Sequence, residues 1–315
     1  MSPARRWRDW LSRYGIALAF GALVAALALL SPRFLTAPNL LNVLRQISVN
    51  ALIAFGMTTV ILGAGIDLSV GSALALCGAV AAGLAAGGLP PPLAMIAALA
   101  LGAALGLVNG LFVASAGIAP FIATLGGLTI FRGVTLVYTD GRPITGLPEA
   151  FDRLGNGVAL GVPVPVWVML GFLALTHFLL RFTSLGRAIY AVGGNEEAAR
   201  LSGLPIRKVK LFTYAYSGLS AALAALVLTG RLDSAQPTAG SGFELDAIAA
   251  VVVGGTSLFG GRGGVLGTFL GAAIIGVLNN GMNLLDVSAF YQQIVKGGVI
   301  LGALLIDRVV AAGRQ

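Results

Sequence analysis

The stretch LLNVLRQISVNALIAFGMTTVILGAGIDLSVGSALALCGAVAAGLAA, residues 40–86, decides the fold. It contains two apolar runs, residues 40–62 and 69–86, each close to the roughly 20 residues that cross a bilayer as a helix. Between them stand Gly63, Gly65 and a single charged residue, Asp67. Glycine lets a helix unwind, and a carboxylate is costly in hydrocarbon. The junction is therefore predicted to be a break between two membrane helices.

The composition of the whole chain also indicates that most of it lies in a lipid bilayer. Of its 315 residues, 57% are hydrophobic and only 10% are charged, against about 25% charged residues in an ordinary soluble domain. These values exclude a soluble enzyme domain, a disordered chain and a disulfide scaffold. We therefore predict an all-α polytopic membrane protein. The 45 glycines indicate helices that pack closely.

Apolar runs predict about ten transmembrane helices in a single domain of residues 1–315. Their approximate ranges are 15–30, 40–62, 69–86, 93–114, 119–138, 166–180, 211–229, 243–258, 265–280 and 290–306. The first run also resembles a secretory signal, because the tripeptide at 26–28 fits the small-x-small cleavage rule. The later spans make an uncleaved first helix the more natural interpretation, and cleavage stays an alternative.

The distribution of Lys and Arg orients these spans. With both termini cytoplasmic, thirteen of these residues fall on the cytoplasmic side, four on the other side and three within spans. The positive-inside rule then predicts that residues 1–14 and 181–210 are cytoplasmic and that the loop 139–165 is periplasmic. The same asymmetry explains the net charge of +8, so no nucleic-acid partner is expected.

Two glycine-rich segments suggest an internal repeat. GAALGLVNG at 102–110 echoes GAAIIGVLNNG at 271–281, although chance similarity between two such helices is an alternative. Glycines four residues apart predict close helix contact. The amides of Asn109, Asn279 and Asn280 predict either hydrogen bonds between helices or the lining of a solute path.

The junction at Asp67 has two interpretations. It is either a broken helix beside a solute path or a tight cytoplasmic turn in which Asp67 caps the next helix. The cations Arg132 and Lys296 also fall within spans. They could pair with Asp67 or Glu244, bind backbone carbonyls, or extend to an interface.

A short helix is predicted in the cytoplasmic loop, at residues 195–204. Asn195 can cap its first turn, and Glu196 and Glu197 suit the positive end of the helix dipole. Gly203 can take the left-handed stop, and Pro205 prevents continuation. Such a helix either docks a partner protein or is a solvated surface helix.

No catalytic constellation is visible in the sequence. Cys77 is the single cysteine and His177 the single histidine, which excludes a disulfide within the chain, a thiolate cluster and a multi-histidine metal site. None of the three lysines follows glycine, so the phosphate-binding pattern GxxxxGK[ST] is absent. The chain is predicted not to be an enzyme and to need no cofactor, and any ATP hydrolysis would take place on another chain.

Four segments, in order along the chain, carry a family resemblance. They are GIDLSVG at 65–71, PFIATLG at 120–126, GRAIYAVGGNEEAA at 186–199 and VGGTSLFGGRG at 253–263. Together they resemble ribose-type (monosaccharide) ABC transporter permeases over about residues 40–305. Ala64 stands where that family commonly has glycine.

The resemblance implies a multi-pass subunit of an ATP-driven importer in the bacterial inner membrane, moving a ribose-like pentose or related sugar. It implies three partners: a cytoplasmic ABC ATPase, a periplasmic sugar-binding protein and a second permease chain, most commonly identical. The helix in the cytoplasmic loop is then expected to be the ATPase-coupling helix, with Asn195, Glu196, Glu197, Arg200, Leu201, Ser202 and Gly203. The expected residues of the translocation path are Asp67, Ser69, Asn109 and Thr124.

Other functions stay open at this point. An ABC permease for nucleosides or another small solute would share these features. An ion-coupled secondary transporter would need intramembrane carboxylates, for which Asp67, Glu244 and Asp246 qualify. A membrane-embedded assembly protein would need neither a broken span nor a docking helix.

Overall fold

The protein is almost entirely helical. The computed structural model describes the backbone of residues 3–312, and 76% of the chain is helical. Side-chain surroundings are described from residue 16 onward, except at 289, 300, 303, 304 and 306–315. The basic residues predicted for the cytoplasmic ends, within 1–14 and at Arg308 and Arg314, therefore fall outside the described side chains. The helices are α1 (Pro3–Leu30), α2 (Ala37–Leu62), α3 (Val70–Ala86), α4 (Pro91–Ala114), α5 (Pro120–Thr139), α6 (Glu149–Gly155), α7 (Val164–Phe182), α8 (Ser184–Gly194), α9 (Glu196–Leu201), α10 (Ile206–Leu232), α11 (Phe243–Val253), α12 (Val265–Leu284) and α13 (Ala289–Ala312). The strands are β1 (Ile144–Thr145), β2 (Val158–Ala159), β3 (Val162–Pro163) and β4 (Ser234–Ala235).

Six of the described helices are long and apolar enough to cross a membrane: α2, α4, α5, α7, α10 and α12. They fall on six of the predicted spans, which confirms an all-α polytopic membrane protein. Two further predicted spans fall on shorter apolar helices, Ile16–Leu30 and α3. The span predicted at 243–258 is shorter than expected, because α11 ends at Val253. Gly254 and Gly255 follow, and Gly255 turns the chain with a φ of +83°.

Helices α2 and α10 lie side by side at the centre and run in opposite directions. Thr59 approaches the Thr213 carbonyl, with 3.5 Å from Oγ1 to O. Three residues earlier in α2, Gly56 lies against Ser217 and Ser220, which are later in α10. Both helices are buried along most of their length, because small side chains let their backbones approach closely.

Glycines make the predicted close contacts between helices. A Cβ added at Gly102 or Gly106 of α4 would meet the backbone of α10, and one added at Gly110 would touch α10 at Leu211. A Cβ added at Gly271 of α12 would meet the backbone of α11. The packing role predicted for these glycines is confirmed.

Two sets of four helices make corresponding contacts. In the first set, α3 packs against α4 and α5, and both α3 and α4 pack against α10. In the second set, α11 packs against α12 and α13, and both α11 and α12 pack against α2. Exchanging α2 with α10, α3 with α11, α4 with α12 and α5 with α13 therefore reproduces the pattern. This packing is consistent with the repeat suggested by the glycine-rich segments of α4 and α12, which stays a prediction.

The two long connections are folded. In 139–165, β1 pairs antiparallel with β4 and β2 pairs with β3, and α6 lies against the end of α10 through Gly155 and Gly230. In 181–210, α8 and α9 form at the opposite end of α10. There Gly193 of α8 contacts the Leu62 carbonyl, which also accepts a hydrogen bond of 2.9 Å from the amide of Gly261.

Candidate functional site

The predicted break between α2 and α3 lies beside the interior of α10. After Gly63 the chain turns through Ala64, whose φ of +57° is left-handed and favours glycine. Asp67 then reaches Ser217, which stands eleven residues after the first residue of α10. At 1.5 Å per residue this is about 16 Å along that helix. Asp67 therefore lies within the bundle.

The Asp67 carboxylate is enclosed by hydrogen-bond donors. Its Oδ1 accepts from the Ser69 amide (3.0 Å) and the Ser69 hydroxyl (2.7 Å), and its Oδ2 accepts from the Ser217 hydroxyl (2.9 Å). Asn109 Nδ2 donates to Ser69 Oγ at 2.7 Å. Asp67 and Asn109 are each only 1% exposed. A buried carboxylate needs such partners, and here three donors supply them.

The backbone of the break is held as well. The Tyr214 hydroxyl donates to the Ile66 carbonyl at 3.1 Å. Thr124 Oγ1 donates to the Pro120 carbonyl at 2.8 Å and lies 3.5 Å from the Ile66 carbonyl. We call Asp67, Ser69, Asn109, Thr124, Tyr214 and Ser217 the Asp67 network.

The structure thus brings together all four residues predicted for the translocation path. The sequence reasoning missed Tyr214 and Ser217, although polar residues three positions apart in an apolar helix are a usable signal. In the described conformation the network joins α3, α4, α5 and α10 and is closed to solvent. Asn109 accordingly makes the hydrogen bond between helices that was one of its two predicted roles.

The intramembrane cations have other partners than Asp67. Arg132 Nη1 donates to the Pro237 carbonyl at 2.6 Å, which was one of the predicted alternatives. Lys296 Nζ lies 2.9 Å from Asp246 Oδ2. Asp246 was not among the predicted partners. The sequence alone did not show that α11 begins at Phe243, which places Asp246 in the first turn.

The predicted docking helix is α9 with its flanking residues. Asn195 Oδ1 accepts a 2.9 Å hydrogen bond from the Ala198 amide, which confirms the cap. Gly203 has a φ of +79°, which confirms the left-handed stop. Arg200 lies 3.4 Å from Glu196 and 3.5 Å from Glu197. The helix stands out from the bundle, with Leu201 81% exposed.

Helix α9 is tied to α10, and α8 is tied to the loop before α12. Lys210 Nζ of α10 lies 2.7 Å from Glu196 Oε2. The Tyr190 hydroxyl of α8 donates to the Gly263 carbonyl at 2.9 Å. Burial raises the pKa of Tyr190 above its usual value, so the phenol stays protonated as a donor.

The other residues singled out in the sequence, Asn280, His177 and Cys77, lie outside the Asp67 network. Asn280 exchanges hydrogen bonds of 2.9 and 3.1 Å with Asn39, which links α12 to α2. His177 makes an edge contact with Phe182, and Cys77 is buried. Among the residues described, His, Cys, Asp and Glu form no group of three that could hold a metal ion.

Six helices long and apolar enough to cross a membrane, with buried polar networks between them, define a polytopic membrane protein. Residues 39–304 match the family model described as branched-chain amino acid transport system / permease component. The chain belongs to this family of transport permeases, whose members are not enzymes.

Several relatives cover nearly the whole chain. It is 54% identical to a ribose import permease of Bacillus subtilis (strain 168) over 304 residues, covering 96% of this chain and 94% of the relative. It is 53% identical to a ribose import permease of Haemophilus influenzae, covering 92% and 91%. A D-allose transport system permease of Escherichia coli (strain K12) is 44% identical, covering 95% and 92%. No solved structure matches the chain significantly.

Proposed function

We propose that this protein is the membrane subunit of an ATP-driven importer that carries ribose, or a closely related monosaccharide, across the bacterial inner membrane. The observation that carries the proposal is the identity of 53–54% to ribose import permeases over more than nine-tenths of the chain. The allose relative is less similar, at 44%. Ribose is therefore the first substrate to test.

We also propose ten spans, with both termini in the cytoplasm. The span at 15–30 and the helices α3, α11 and α13 would join the six long apolar helices. Antiparallel α2 and α10 and the β1–β4 pair agree with this order. The predominance of Lys and Arg in residues 181–210 supports a cytoplasmic location for α8 and α9.

Helix α9 is the proposed docking point for a separate ABC ATPase. It is capped at both ends, and its Glu197, Arg200 and Leu201 side chains are exposed. Exposed apolar and charged groups on a short, well-capped helix can fill a groove on a partner. The proposed assembly also contains a second permease chain, expected to be a copy of this one, and a periplasmic sugar-binding protein.

A series of contacts connects α9 with the broken span. The Glu196–Lys210 ion pair ties α9 to α10. Farther along α10, Tyr214 and Ser217 hold Ile66 and Asp67. A shift of α10 that follows ATP-driven movement of α9 would therefore strain the Asp67 network. Packed helices have few discrete arrangements, so such a shift can switch access from one side to the other.

The Asp67 network is proposed to act as a lock beside the translocation path. Asp67, Ser69, Asn109 and Thr124 are nearly inaccessible in the described conformation. They would reach a passing sugar only after α3 and α10 separate. In the described conformation the network's hydrogen bonds hold these helices together.

The proposal is tested by reconstitution of the permease with its ATPase and binding protein in proteoliposomes. Uptake of radiolabelled ribose should require ATP and persist when ionophores collapse the ion gradients. Xylose, allose and a nucleoside provide comparison substrates. ATP-dependent uptake of the nucleoside in place of sugars would replace the substrate assignment. Uptake that needs an ion gradient and no ATP would refute the importer class and favour a secondary transporter.

A further inference from the structure

A second polar region lies within the bundle, where the chain begins α11. The first turn of α11 contains Glu244 and Asp246. The carboxylate of Asp246 pairs with Lys296 of α13, and Arg132 of α5 donates to the carbonyl of Pro237, in the segment that leads into α11. Arg132 and Lys296 thus both contact α11 or the segment that leads into it.

This second polar region lies far from the C-terminal end of α3, where the chain turns into α4. The segment 236–242 connects β4 with α11, and its Gly240 lies against Gly71 of α3. Helix α3 continues for fifteen residues beyond Gly71, which is about 22 Å at 1.5 Å per residue. Arg132 stands twelve residues after the first residue of α5 and seven before its last. The segment therefore dips deep into the bundle.

The two polar regions differ in their exposure. The Asp67 network is closed, whereas Arg132 and Glu244 are only half-buried and Thr238 and Ser241 are exposed. We call these last four residues the Arg132–Glu244 surface. Charged side chains at such depth are too costly to face lipid, and irregular backbone is tolerated there only against protein or water. Water, a hydrated solute or another protein chain must therefore cover this surface, and its hydrogen-bonding groups suit the first two.

The chemistry of the surface suits a polyhydroxyl solute. Guanidinium and hydroxyl groups donate hydrogen bonds, and carboxylate, hydroxyl and carbonyl oxygens accept them, so each sugar hydroxyl can find either type of partner. The exposed residues of α5 on the same side of the helix as Arg132 are mostly apolar, including Leu125 and Leu136. A few polar groups on an apolar wall can orient a sugar without holding it tightly.

We propose that the imported monosaccharide crosses the membrane in contact with the Arg132–Glu244 surface. This inference rests on the proposed function and locates its translocation path. It assigns different tasks to the two broken spans: the Asp67 network closes the bundle, and the segment 236–242 with α5 touches the solute.

Cysteine labelling tests whether water reaches the surface. Cys77→Ala removes the single, buried thiol and provides the background. Thr238→Cys and Ser241→Cys then place thiols on the surface. The matched control is Ile130→Cys, which is 62% exposed at nearly the same depth of α5. Ile130 and Arg132 flank the buried Phe131 on opposite sides of the helix, 100° away in each direction.

The labelling uses a charged, membrane-impermeant methanethiosulfonate on proteoliposomes that contain the full complex. Thiols at 238 and 241 should react at least about tenfold faster than the thiol at 130, because only water carries the reagent. Ribose-loaded binding protein with ATP should slow their labelling. Equal, slow labelling at all three positions, in vesicles that import ribose, would overturn the path while leaving the proposed function intact. Failure of the same vesicles to import ribose would refute the function instead.

A charge series tests contact with the sugar. Arg132→Gln should lower ribose uptake at saturating binding protein by at least about tenfold, and Arg132→Lys should restore part of it. Co-purification of the ATPase should stay unchanged in both variants. A purely structural Arg132, needed only to fix the Pro237 carbonyl, would lower thermal stability and all activities together. That result would contradict sugar contact at this position.

Discussion

Replacement of Gly106 by alanine tests how closely α4 and α10 are packed. A Cβ at this position would lie 2.8 Å from the carbonyl carbon of Tyr214 and 3.0 Å from Cα of Ala215. Carbon atoms prefer 3.5–4.0 Å, so α10 would have to move by roughly 1 Å. Because the obstacles are backbone atoms, no side-chain rotation relieves the contact. We expect a loss of about 3 kcal/mol in the free energy of unfolding, at the upper end of the usual cost of overpacking.

The displaced residue connects this prediction to the broken span. Tyr214 is the residue whose hydroxyl holds the Ile66 carbonyl, so Gly106→Ala should also loosen the Asp67 network. Ribose uptake in proteoliposomes should therefore fall in the fraction of Gly106→Ala protein that remains folded. The effect is specific only if uptake per folded molecule, and not just yield, is reduced.

The matched control is Gly171→Ala in α7. Nothing lies within 4 Å of an added Cβ there, and alanine favours helix over glycine by about 1 kcal/mol. Thermal unfolding in detergent, followed by tryptophan fluorescence, should give a lower midpoint for Gly106→Ala and an unchanged or higher one for Gly171→Ala. Equal midpoints for Gly106→Ala and the wild type would refute the close contact between α4 and α10.

Substitutions at three further sites test the Asp67 network, the Asp246–Lys296 pair and helix α9. Asp67→Ala should cost about 3 kcal/mol because three donors lose their acceptor, and Asp67→Asn should cost less than half of that; equal thermal destabilisation would contradict the hydrogen-bond account. Lys296→Met should cost about 3–5 kcal/mol by leaving Asp246 buried and unpaired, whereas the double variant with Asp246→Asn should recover most of it in a double-mutant cycle. Glu197→Lys should reduce co-purification of the ATPase, whereas Glu149→Lys, which alters an exposed Glu–Arg pair on α6, should not; unchanged binding with Glu197→Lys would remove the docking assignment.

Features decided by local backbone chemistry were predictable from the sequence. Asn195 caps α9 and Gly203 ends it because each residue type suits its own backbone conformation. The break at Gly63 to Asp67 was predictable for the same reason. Ala64 adopts a left-handed conformation, with a φ of +57°, that favours glycine. Glycine would therefore fit this position better than the alanine that the chain has. Ala64→Gly should raise the thermal unfolding midpoint, because alanine is strained in this conformation by about 1 kcal/mol.

Features decided by long-range packing were not predictable. Ser217 meets Asp67 across 150 positions of sequence, and only the side-by-side placement of α3 and α10 brings them together. Asp246 meets Lys296 because α11 starts at Phe243, deep in the bundle, and α13 packs against it. The sequence showed that the charges of Asp67 and Lys296 are energetically costly within a membrane. It could not select their partners, because several residues could form the same hydrogen bonds or ion pairs.

The location of the polar residues follows from the two short helices. Wherever a helix starts inside a membrane protein, its first amide groups lack partners within the helix and must find them elsewhere. At the start of α3, Asp67 binds the Ser69 amide, and Ser217 and Asn109 complete the enclosure. At the start of α11, Glu244 accepts from the Gly242 amide at 3.2 Å and is only half-buried. The first break is therefore sealed by protein, whereas the second can offer hydrogen bonds to water or a solute. A transport path that binds its sugar weakly would use the second break and would open only when the first is loosened.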